Sequence, residues 1–80
     1  MNTYQIHYLG LLSDRRGLAH ETLISQASTA AELYDFLQKE HSLGLLASQI
    51  KVAVNDEFAA WDRQINDQDL IAFLPPMSGG

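Results

Sequence analysis

The 80-residue sequence contains no cysteine. That absence excludes a disulfide scaffold, a thiolate metal site and a thiol nucleophile, so any sulfur chemistry must use sulfur supplied from outside. Basic residues are scarce: 5 Lys and Arg stand against 10 Asp and Glu, a formal charge of −5. Nucleic-acid phosphates would repel such a domain, whereas a partner with a basic surface would attract it. No apolar run approaches the roughly 18 residues of a membrane span, and the N-terminus lacks the charged-then-apolar pattern of a signal peptide. The expectation is a cytoplasmic protein with neither a membrane nor a nucleic-acid partner. His7, His20 and His41 stand apart in the sequence, without a second ligand at a metal-binding spacing. Neither a phosphate-binding glycine loop nor a supported Ser-His-Asp order is present. No metal and no bound cofactor are expected.

Proline is limited to two residues and the hydrophobic fraction is 46%, the composition of a folded globular chain. A chain of this length makes one domain with a single small core and no deep cleft. Thr3 to Leu11 alternates as a strand, with Tyr4, Ile6 and Tyr8 facing the core. Ser13-Asp14-Arg15-Arg16-Gly17 reads as a polar turn or short helical piece ended by glycine. Its adjacent arginines could grip a phosphate or carboxylate, but such pairs more often form a solvated surface. Glu21 to Ser25 reads as a second strand returning from the first.

Thr29-Ala30-Ala31-Glu32 fits a capping box, in which the threonine oxygen takes an orphan N–H and the glutamate reaches back to the cap. A helix is therefore predicted from Ala30, with Ala30, Leu33, Tyr34, Leu37 and His41 on one stripe, closing at Ser42-Leu43-Gly44. His41 in the last turn suits the helix dipole. Ile50, Val52 and Val54 mark the inward side of a third strand, Asn55-Asp56 a turn, and Glu57 to Ala60 a short return. Trp61 and Ile65 are expected as satellite core residues, and Asp67-Gln68-Asp69 as a polar turn before a last strand, Leu70 to Leu74. The order is that of an α+β fold, a mixed sheet with one main helix on one face. A crossover would place the first and last strands side by side.

The last strand is apolar on both faces: Ile71 and Phe73 share one, Leu70, Ala72 and Leu74 the other. A strand with one solvated face should not show this. If the first strand lies alongside, Leu9 joins Leu74 in a hydrophobic patch, the usual mark of a partner surface. The domain is read as residues 1–74, and residues 75–80 as an extended, flexible C-terminal tail. Pro75 and Pro76 offer no N–H and restrict the tail's root, so it should project instead of pairing with a sheet edge. Met77 and Ser78 then lead to Gly79 and Gly80, the thinnest chain available and one able to pass a narrow channel. Six residues from Pro75 reach at most about 20 Å.

The order of elements, with Val52-Ala53-Val54-Asn55, Asp67-Gln68-Asp69, Phe73-Leu74-Pro75-Pro76 and Ser78-Gly79-Gly80, closely resembles the molybdopterin synthase small subunits, which are sulfur carriers of the ubiquitin-like β-grasp fold. The likeness covers essentially the whole chain. It implies that an ATP-dependent adenylating and sulfurating enzyme acts on the carboxylate of Gly80, giving a thiocarboxylate. It further implies that Gly79, Ser78 and Met77 pass into the large subunit of a heterotetramer to sulfurate a pterin precursor, with Leu9, Leu70, Ala72, Leu74, Pro75 and Pro76 at the interface. The chain would be non-catalytic alone and would bind no cofactor, the ATP being used by the activating partner. The family often carries Arg-Glu just after the first strand, where this chain has Ser13-Asp14, which puts any contact of that arginine in question. A thiamin-type sulfur carrier, a ubiquitin-like protein modifier and a plain interaction module are the alternatives.

Overall fold

A computed structural model of the chain describes residues 1–76. Met77, Ser78, Gly79 and Gly80, the expected reacting end and its approach, lie outside the described residues. The elements are β1 (Asn2–Tyr8), α1 (Leu11–Arg16), β2 (His20–Ser25), α2 (Ala30–His41), a 3-10 turn (Ala47–Gln49), β3 (Lys51–Val54), β4 (Glu57–Ala59) and β5 (Leu70–Leu74). They build a five-stranded sheet in the order β2-β1-β5-β3-β4. β1 and β5 run parallel at its centre, and every other neighbouring pair is antiparallel.

Alternation decides which side chains meet α2. Tyr4, Ile6 and Tyr8 of β1, Val52 and Val54 of β3, and Ile71 and Phe73 of β5 are buried, as are Ala30, Leu33, Tyr34 and Leu37 of the helix stripe. His41 ends that stripe only half-buried. Aromatic rings fill the middle: Tyr34 and Trp61 each lie against Phe73, at centroid distances of 5.2 and 6.2 Å. Ile65 is buried and Trp61 packs against the core from its edge, as expected of satellite residues.

α2 starts at Thr29, whose side chain accepts the Glu32 N–H at 3.2 Å. The reciprocal half of the expected capping box is displaced by one residue. Glu32 takes the backbone N–H and hydroxyl of Ser28, at 2.8 and 2.9 Å, instead of the N–H of the cap. The N–H groups of Ala30 and Ala31, which no turn of the helix can satisfy, donate to the carbonyls of Arg63 and Trp61. The loop before β5 thus covers the helix start.

Two local expectations are corrected. The first strand ends at Tyr8, not Leu11, because Gly10 takes φ 52° and ψ −127°, a conformation that turns the chain into α1. α1 is the short helical piece ended by glycine that the sequence suggested, capped by Gly17, and its Leu12 is fully buried. Arg15 is exposed, but Arg16 is not left to solvent: it makes two 3.0 Å bonds to Glu21 across the αL turn at Gly17. Arg15 donates to the Leu43 carbonyl at 2.9 Å, and Leu43, expected only as part of a helix stop, is itself fully buried.

Candidate functional site at the root of the C-terminal tail

β5 delivers the chain to the tail. Its last residue, Leu74, lies opposite Lys51 of β3, and on the other side the Leu9 N–H still donates to the Phe73 carbonyl at 3.1 Å. Leu9 therefore continues the line of β1 for one residue beyond the strand, and it is 41% exposed. Pro75 packs over Gly10: a Cβ at Gly10 would sit 3.2 Å from Pro75 Cγ. Bare backbone at Gly10 leaves room for the proline ring, and the two prolines contribute no N–H that could extend the ladder.

Among the described residues, no helix covers the face of the sheet turned away from α2. Register places Phe58, Ala53, Ala72, His7 and His20 in one row across it. Leu70, Ala72 and Leu74 of β5 are half-buried, and Phe58 is 71% exposed. A groove of ≈ 440 Å³ runs between this face and the tail's root, lined in part by Gln49, Lys51, Phe58, Leu74, Pro75 and Pro76. The sequence did not single out Phe58. Its signal is the alternation of Glu57-Phe58-Ala59, which becomes legible only once β4 is known to lie beside β3 with Phe58 opposite Ala53. A second groove of the same size, between β2 and α2, lies away from the tail and is lined by Met1, Ile24 and Phe36 among others.

The polar groups nearest the core are engaged with one another. Glu21 accepts from Tyr8 Oη at 2.6 Å as well as from Arg16. Burial pushes the Glu21 carboxyl up, but the bonds from Arg16 and Tyr8 and the arginine's charge outweigh it and hold the group below the usual carboxylate range. Burial, then the bond to Glu21, pushes the Tyr8 phenol far above its ordinary value. Such a closed triad has no free base or acid to offer a substrate. Asn55 is similarly committed: its amide joins Asp69 at 3.0 Å and its oxygen takes the Leu70 N–H at 2.9 Å, fixing the start of β5. The geometry brings together an apolar face, a groove and the tail's root at Pro75 and Pro76, and places the hydrogen-bonded polar groups in supporting roles.

Comparison with known proteins agrees with this architecture. Solved structures of similar fold include small archaeal modifier protein 1 from Haloferax volcanii, at 21% identity and a TM-score of 0.81, covering 96% of this chain and 100% of that one. Subunit 1 or 2 in the complex of the molybdopterin-converting factor from Helicobacter pylori matches at 23% identity, covering 98% and 99%, with a TM-score of 0.68. A chain of the Amycolatopsis orientalis BexX/CysO complex matches at 20% identity, covering 96% and 99%, with a TM-score of 0.69. At these identities the likeness establishes the ubiquitin-like β-grasp fold. The sequence profile of the ThiS family matches residues 6–80. The chain therefore belongs to the ThiS family.

Proposed function

We propose that the chain is the sulfur-carrying small subunit of a molybdopterin synthase. The observation that carries this reading is the tail's root. A central strand runs into Leu74-Pro75-Pro76 beside an open apolar face, and the family match continues from there through Gly79-Gly80. The name of the Helicobacter pylori structure, a complex of subunits 1 and 2 of the molybdopterin-converting factor, favours a large-subunit partner.

The chemistry follows from a terminal carboxylate. It is a poor acyl donor, so a partner enzyme must first join it to AMP from ATP with release of pyrophosphate. Sulfur from a donor then displaces AMP, and the resulting thiocarboxylate is a polarizable nucleophile at neutral pH. In this reading Gly80 reacts, Gly79, Ser78 and Met77 thread the partner's channel, and Leu9, Leu70, Ala72, Leu74, Pro75 and Pro76 meet the partner's surface, together with Phe58. Catalytic bases and phosphate ligands belong to the partners, and ATP is consumed by the activating enzyme.

A second reading, a ubiquitin-like modifier, is favoured by the fold shared with small archaeal modifier protein 1. The intact mass of the protein isolated from cells separates the two: a thiocarboxylate is heavier than the free acid only by the exchange of one oxygen for sulfur, whereas an isopeptide conjugate is heavier by the whole mass of its target less one water. Deleting Gly80 should abolish sulfur transfer while the thermal midpoint stays almost unchanged, because chain ends contribute few contacts. Normal sulfur donation by that deletion would refute the assignment.

A further inference from the structure

The sequence separates His7 from His20 by a turn and a helix, but the hairpin brings them together. They are direct cross-strand partners, and their ring centroids lie 5.6 Å apart with the planes at 43°. The neighbouring Tyr8 N–H donates to the Ala19 carbonyl at 2.8 Å. In an antiparallel ladder this makes the next pair, His7 and His20, a non-hydrogen-bonded one, the kind that holds side chains closest. Both histidines are exposed on the face away from α2, so no packing fixes their rings. Around them the register places Gln5, Thr22 and Ala72, none of which carries a charge.

We propose that His7 and His20 form a two-histidine chelate for a borderline divalent cation such as Cu(II), Ni(II) or Zn(II). Imidazole suits these ions, and Cu(II) heads their affinity order. A ring bound through one nitrogen at about 2.0–2.1 Å holds its centre roughly 3.2 Å from the ion, so two rings at right or tetrahedral angles have centres about 4.5–5.3 Å apart. The observed separation exceeds that range by only a few tenths of an ångström, within a small side-chain rotation. Among the described residues no cluster of three His, Cys, Asp or Glu side chains gathers to hold an ion. Water therefore completes the shell, and the open positions face outward. Because His7 lies beside Ala72, the ion sits at the border of the apolar face, where a molecule covering the sheet could supply a further ligand. The inference is independent of the tail and its chemistry.

The test titrates CuCl₂ into the full chain in a non-coordinating buffer, followed by calorimetry and by paramagnetic broadening of backbone amide signals. One saturable equivalent is expected, with broadening centred on His7 and His20 and spreading to Ala72. Either His7→Gln or His20→Gln should weaken binding by at least about tenfold, and His41→Gln should leave it unchanged. The broadening map uses the unsubstituted protein, so it decides the matter even if a variant misfolds. Broadening centred on Met1 or His41, affinity unchanged in H7Q/H20Q, or no saturable binding below about 1 mM would overturn the proposal.

Discussion

Truncating Phe58 to Ala should separate binding from folding. The ring stands on β4 opposite Ala53, with 71% of the residue exposed. Of the roughly 200 Å² that an aromatic side chain buries when fully enclosed, about 140 Å² is therefore left for a partner to cover. At about 25 cal/mol per Å² that area is worth about 3.5 kcal/mol, and the Cβ retained by Ala lowers the expected loss to about 2–3 kcal/mol. Under the proposed function, affinity for the large subunit should then fall by about 30- to 150-fold. Stability should change by no more than about 1.5 kcal/mol, because only the remaining area of roughly 60 Å² is buried in the free chain. Calorimetric titration against the large subunit reads the first number and urea unfolding the second. Ile24→Asp is the control: Ile24 is 65% exposed on the same face but stands on the edge strand β2, opposite Thr3 and far from the tail in register. Unchanged affinity for Phe58→Ala, or an equal loss for Ile24→Asp, would refute the placement of the docking surface at the tail's root.

Glu21→Gln would strip the carboxylate from both Arg16 and Tyr8 and should cost about 1.5–3 kcal/mol in chemical denaturation, the range for hydrogen bonds to charged groups. The same carboxyl, with Glu32 at the helix start, sets the acid limb. For Glu32 the backbone bond from Ser28, then its hydroxyl, depresses the carboxyl; for Glu21 the Arg16 and Tyr8 bonds prevail over burial. Both groups ionise more readily folded than unfolded, so their stabilisation is complete above the usual carboxylate range of about 4.3 and is lost as pH falls through and below it. Thermal midpoints measured across acid pH should show this decline, and it should be shallower in Glu21→Gln. Gly10→Ala should cost about 1–3 kcal/mol in urea unfolding, because φ 52° with ψ −127° is closed to a residue with a Cβ.

The alternating and helical segments were legible because one face of each meets the same core. Tyr4, Ile6 and Tyr8, the Leu33 to Leu37 stripe, and Ile71 and Phe73 could be assigned to the interior by period alone, and the family likeness then joined them into one fold. Other features depend on neighbours that the sequence does not name. Leu12 stands just before a polar run and Leu43 in a helix stop, yet both are fully buried where Arg15 ties α1 to the loop after α2. The Arg16 pairing needs the αL turn at Gly17, which reverses the chain within a few residues of Glu21. His7 meets His20, and Phe58 meets Ala53, through strand register, which local alternation does not specify.

Register also places the apolar face beside the tail's root, as the proposed function requires. β5 is central, flanked by β1 and β3, so Leu74 leaves the sheet between Leu9 and Lys51 and not at an edge. An edge strand could let its end peel away, whereas ladder bonds on both sides hold this one. Pro75 against Gly10 then restricts the direction of departure. A chain of four residues beyond Pro76 extends at most about 14 Å. Under the proposed function, an active centre that receives Gly80 lies within that distance of Pro76, close to the surface around Leu9, Leu74 and Phe58. Docking and delivery are therefore coupled by reach: losing the apolar contacts should weaken the encounter without altering the terminal chemistry, while altering Gly80 should stop the chemistry without weakening the encounter.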